Sequence, residues 1–304
     1  MVWRCWQHVV VAITWLGVAC VASATENGRQ EYPIGVDTVL NGILPEPGAT
    51  QFYNYTGFYT ANRLMGPNGR SMVPNFQVNV LADAPRVMHT WGGMLGPFTV
   101  SSGLVLPIIH AETALPTGSA NRWGLGDAVV HAVNLGYTNS SKTLFSVLAL
   151  DFAVPTGAFS KTSIANTGMN VYAFIPTFKM TAFPFRGWEI SETAGWEIDS
   201  PNHADGYHSG NLLFMDWIVG YSILPRLQLA VQGYALQQIT SDTQNGAVVG
   251  GDGFKGRAFA IGPQVRFNFN RDSGIVFKWQ HEFGVRNRPR GDRLWVELSF
   301  PLRN

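Results

Sequence analysis

Apolar residues in this chain recur at every second position over unusually long runs, and that one feature limits the fold more than any other. Phe259, Ile261, Pro263, Val265, Phe267 and Phe269 share one face of a segment whose other face carries Ala258, Ala260, Gly262, Gln264, Arg266 and Asn268. The next segment sets Ile275, Phe277, Trp279, Phe283 and Val285 against Val276, Lys278, Gln280, Glu282 and Gly284. The last sets Leu294, Val296, Leu298 and Phe300 against Trp295, Glu297 and Ser299, and an earlier one sets Leu144, Leu148, Leu150, Phe152 and Val154 against Val147, Ala149, Asp151 and Ala153. Side chains alternate across a strand, so each segment has one greasy face and one small or polar face. About twelve such segments follow from this period, centred near residues 57, 80, 103, 131, 148, 176, 193, 217, 233, 263, 280 and 297. Pro67-Asn68-Gly69, Asn139-Ser140-Ser141, Phe185-Arg186-Gly187 and Arg271-Asp272-Ser273-Gly274 supply turn chemistry between them.

Long strands of this kind bury their apolar face in a protein core or present it to lipid. Charged residues make up only 13% of the chain, against about 25% in a soluble domain. Tyr53, Tyr59, Tyr137, Trp188, Trp196 and Tyr221 fall near strand ends, where the aromatic girdles of a membrane barrel sit. A closed barrel also satisfies every backbone N–H and C=O without water. The expected fold is therefore all-β, a transmembrane antiparallel β-barrel of about twelve strands, the even number bacterial barrels take. Residues 199–211 and 240–256 read as long surface loops.

The N-terminus carries an export pattern. Arg4 precedes the apolar run Val9–Ala22, and Ala22-Ser23-Ala24 offers a small-x-small cleavage site. Residues 1–24 are expected to be a cleaved signal peptide, which directs the product to the outer membrane and removes both Cys5 and Cys20. Residues 25–48 hold little alternation but contain Ile34, Val36, Val39, Leu40, Ile43 and Leu44, so they are expected to form a small plug at the periplasmic end. Residues 49–304 form the barrel. Five of the 21 basic residues are Lys and the formal charge is +1, which excludes a nucleic-acid binder that must neutralise phosphates in number. The hydrophobic fraction of 46% excludes a disordered chain.

Short motifs occur in the order Gly42-Ile43-Leu44-Pro45-Glu46-Pro47-Gly48, Gly124-Leu125-Gly126-Asp127, Val154-Pro155-Thr156-Gly157, Tyr207-His208-Ser209-Gly210 and Gly262-Pro263. In that order they resemble an outer-membrane family labelled for the meta-pathway of phenol degradation. The resemblance implies a transporter-like barrel associated with the breakdown of aromatic compounds.

No constellation for covalent chemistry or cofactor binding is expected. A Ser–His pair on one strand face needs a spacing of two, and no His stands two from a Ser. Asp199, His203, Asp205 and His208 lie close in sequence but follow no metal-ligand spacing, and Gly124–Asp127 lacks the helix and Lys of a phosphate loop. The chemistry is expected on the lumen face, with Asp151, Lys179, Glu189, Glu197, Asp216, Arg266, Lys278, Glu282 and Glu297 as its charges. Arg266, Lys278, Glu282 and Glu297 fall on three consecutive strands and are expected to form one cross-strand ladder. Phe52, Phe58, Phe214, Tyr234 and Trp295 are expected to be its greasy contacts. Glu192 falls on the nominal lipid face, so it lies outside the hydrocarbon band or its strand carries a bulge. The expected partners are outer-membrane lipid and a small hydrophobic or aromatic solute, taken up passively; the competing expectation is a structural or adhesive barrel acting through its long loops. The sequence sets no oligomeric state.

Overall fold

A computed structural model describes residues 28–302; the expected signal peptide lies outside them. Twelve antiparallel wall strands close into a barrel. They are β1 (Thr50–Met65), β2 (Gln77–Leu95), β3a (Phe98–Val105) continued by β3b (Ile108–Leu115), β4a (Gly118–Leu125) continued by β4b (Ala128–Thr138), β5 (Leu144–Val154), β6 (Ala173–Ala182), β7 (Trp188–Asp199), β8 (Leu212–Leu224), β9 (Leu227–Gln238), β10 (Arg257–Asn268), β11 (Gly274–Arg286) and β12 (Arg288–Leu302). Each pairs with its sequence neighbours, and β1 pairs with β12 to close the ring. The break within β3 falls at Leu106-Pro107, where proline has no N–H to give the ladder. The break within β4 falls at Gly126-Asp127, and Gly126 N–H donates to the Pro107 carbonyl at 2.8 Å.

All twelve sequence centres lie within these strands. The end of the last strand and short turns such as Gly96-Pro97 and Pro225-Arg226 gather at one end, and the long connections 66–76, 155–172, 200–211 and 239–256 at the other. Short turns mark the periplasmic side of such barrels and long loops the outer side. The two loops read from sequence hold a three-stranded sheet of Tyr207–His208, Thr243–Gln244 and Ala247–Val248.

Burial is inverted relative to a soluble protein. Phe277, Trp279 and Leu294 are 51%, 43% and 51% exposed, while Gln232 and Gln264 are 0% and 1% exposed. An apolar shell around a polar interior is stable only when lipid, not water, covers the outside.

Two face assignments read from the pattern are corrected. On β1, Tyr53, Tyr55 and Tyr59 face the lumen. Phe52 pairs outward with Phe300, and Phe58 with the exposed Leu81 and Leu294. Both faces of β1 are aromatic, so alternation alone does not choose between them; the hydroxyls turn inward to Glu282 and Arg86. On β11, Val285 is buried rather than lipid-facing. Gly284 at φ 61° shifts the alternation by one residue. Glu192 does face outward, half-buried, and the β7–β8 register runs without a shift past it.

Candidate functional site

The chain preceding β1 makes its contacts on the inner face of the wall. At the outer end Arg29 donates to the Gly168 carbonyl at 3.1 Å. The Glu197 carboxylate accepts the backbone N–H of Glu31 and Tyr32 at 2.8 and 2.7 Å. Asp216 accepts from the Tyr32 hydroxyl and Gly35 N–H, each at 2.8 Å, and from Asp37 N–H at 3.1 Å. Lys278 donates to the Val36 carbonyl and Thr38 hydroxyl at 2.7 and 2.9 Å. Nearer the periplasmic end, Leu40 N–H donates to Glu189 at 3.1 Å and Gly42 N–H to Thr181 at 3.0 Å. The contacts therefore extend along the lumen rather than stopping at its periplasmic mouth. Ile34 and Val36 are buried, and the Tyr32 ring stacks on Phe214 with centroids 3.9 Å apart. Gly35 has φ 86°, and a Cβ there would stand 2.4 Å from the Gln280 amide oxygen.

The sequence-read charges sort by partner. Asp151 pairs with His131 Nδ1 at 2.8 Å. Lys179 pairs with Asp37, and Lys278 with Glu297. Glu282 accepts from Tyr234 at 2.5 Å, from Tyr59 at 3.0 Å and from Gly291 N–H at 2.7 Å, with Arg293 at 3.9 Å. Trp295 donates to Gln280 at 3.1 Å. The expected single ladder is corrected: only Lys278 and Glu297 pair, Glu282 goes to Arg293 and the two tyrosines, and Arg266 pairs at 2.8 Å with Glu189 on β7. Gly220, between them on β8, has no side chain, so Gln228 lies across it and donates to Glu189 at 2.8 Å.

A cavity of ≈ 510 Å³ remains on the opposite side of the lumen. Val80, Ala82, Val105, Ile109 and Val129 form its aliphatic wall, with Tyr32 and Ile34 opposite. Of the lumen residues read from sequence, Phe58, Asp151, Lys179 and Trp295 line it; Phe52, Glu189, Glu197, Phe214, Asp216, Tyr234, Arg266, Lys278, Glu282 and Glu297 do not. Sequence reasoning missed Arg86 and His131, which do.

Loop 155–172 covers the outer side of this cavity. Asp127, in the β4 break, accepts Gly157 N–H at 2.8 Å and Met169 N–H at 2.6 Å. Thr156 hydroxyl donates to the Gly126 carbonyl at 2.9 Å. Two of the sequence motifs thus meet in one latch. Each carboxylate hydrogen bond is worth roughly 1.5–3 kcal/mol, so Asp127→Ala is expected to speed tryptic cleavage at the exposed Lys161 by about tenfold or more. Unchanged cleavage in a barrel that still shifts its gel mobility on heating would show that the loop is held by other contacts.

The closed ring, the inverted burial and the filled lumen define a transmembrane β-barrel of the outer-membrane type. The model of the family described as "Putative MetA-pathway of phenol degradation" matches residues 61–298, and the chain belongs to that family. An outer membrane channel from Pseudomonas putida F1 is 16% identical, with a TM-score of 0.77 over 88% of this chain and 100% of that one. The β domain of the Bordetella autotransporter BrkA is 10% identical, with a TM-score of 0.50 over 84% of this chain and 100% of that one. The CymD monoaromatic hydrocarbon channel is 8% identical over 85% of this chain and 89% of that one, and its TM-score of 0.46 carries no argument. No curated protein matches the sequence.

Proposed function

We propose that this barrel is an outer-membrane channel for passive uptake of small hydrophobic or aromatic compounds. In this reading the aliphatic cavity is the solute site, and residues 28–48 are a plug. The observation that carries the reading is the contrast within the lumen. One side is filled by hydrogen-bonded charges that hold the N-terminal segment, while the other leaves ≈ 510 Å³ with a Val, Ala and Ile wall on β2–β4 and Asp37, Arg86, His131, Asp151 and Lys179 beside it, a volume within the usual range for a small-molecule site. A porous outer membrane sustains no potential, so passage runs down the solute's own gradient. Export through a cleaved signal over residues 1–24 belongs to the same proposal.

Uptake of labelled phenolic, alkyl-aromatic and fatty-acid compounds by a deletion strain, with and without the restored gene, tests it. At least one class is expected to enter several-fold more slowly in the deletion and to recover on complementation. Equal uptake of every class, beside lost adhesion, would instead make the long outer loops the functional surface.

A further inference from the structure

Arg86 lines the cavity and forms no ion pair among the described residues. Its Nη1 donates to the Tyr55 hydroxyl at 3.2 Å, its guanidinium lies 5.2 Å from the centre of the Tyr53 ring, and its Nε has no partner. The carboxylates whose charge reaches it, Asp37 and Asp151, are held by Lys179 and His131. Nearby Arg293, in contrast, faces Glu282 and Tyr234. Arg86 is thus a cation at the edge of an aliphatic wall with no carboxylate in contact among the described residues.

A guanidinium presents parallel N–H donors that fit a carboxylate in a bidentate pair. In a partly desolvated chamber such a charge is costly without a counter-ion. The walls next to it, Val80, Ala82, Ala84 and Val105, offer only apolar contact. We infer that the preferred occupant is a small organic acid, an apolar aromatic or aliphatic body carrying one carboxylate that binds Arg86. This deepens the channel reading and rests on it. A purely hydrocarbon solute would fill the walls but leave the guanidinium without a carboxylate in contact.

The test uses the folded full-length barrel in detergent, with three probes of one shape: benzoate, benzamide and benzylammonium. Binding is measured by titration calorimetry against protein-free micelles. Benzoate is expected to bind at least about tenfold more tightly than benzamide, with benzylammonium weakest. Arg86→Gln should bring benzoate to the benzamide level while leaving benzamide within about twofold, and Arg86→Lys should keep part of the preference. Heat-shifted gel mobility confirms that each variant is folded. Equal binding of benzoate and benzamide by the native barrel, or an Arg86→Gln barrel with undiminished preference, overturns the inference and leaves the channel reading standing. If no probe binds and none enters vesicles carrying the barrel faster than empty vesicles, both fall together.

Discussion

Deleting residues 28–43 is expected to raise the single-channel conductance of the reconstituted barrel by about tenfold or more, because side chains and backbone that fill the lumen would be replaced by water. Asp216 accepts three donors from this segment, Glu197 accepts two, and Lys278 gives two hydrogen bonds back. These carboxyl and ammonium groups face a lumen open to water once the segment leaves. They would be hydrated rather than stranded, so the wall should survive. Its twelve-strand closure rests on backbone ladders that the segment does not enter. Gly35→Val provides a second route in the complete chain. A branched side chain at φ 86° is strained, and its Cβ would meet Gln280. That variant should show frequent openings and protease-sensitive residues 28–43. Conductance of both variants equal to the native value would refute the plug.

The wall is readable in the sequence because lipid imposes period two along most of each strand: Phe277, Trp279, Leu294 and Val296 all sit outside. Reading failed where that contrast fades. β1 has aromatics on both faces, and only the hydroxyls of Tyr53, Tyr55 and Tyr59 distinguish inside from outside. β2 has Leu81 and Val87 outside but Val80, Ala82 and Ala84 inside, so Arg86 stands on a face that carries no polar pattern. His131 could be recognised only through register, since its partner Asp151 is its direct neighbour on β5. Asp127 is not legible as a latch because a contact between the β4 break and loop 155–172 has no local period. Alternation turns the charged candidates inward, and they are buried. Their partners depend on which side chains can cross the lumen, as Gly220 permits for Glu189 and Arg266, and strand period carries no such information.

That crossing pair leads to the second large effect. Glu189 accepts from Arg266 and Gln228 at 2.8 Å each, from Ser191 at 3.0 Å and from Leu40 N–H at 3.1 Å. Arg266 is buried, and its Nε and Nη1 already lack partners. Glu189→Leu removes the one carboxylate, among the described residues, in ion-pair contact with that guanidinium and leaves a buried cation, a change that costs about 3–5 kcal/mol. Urea unfolding in lipid vesicles should register the loss as a lower midpoint. Replacing both partners by apolar groups of similar size is often close to neutral, so Glu189→Leu with Arg266→Met should recover most of the stability. Solute selection should stay unchanged in the double variant, because neither side chain lines the cavity. A single variant within about 1 kcal/mol of native would show that water already solvates the pair. A double variant as unstable as the single one would place the cost in the contacts to Gln228, Ser191 and Leu40 instead. Altered selection by the double variant would mean that this side of the lumen lies on the solute path and is not the anchor for residues 28–48.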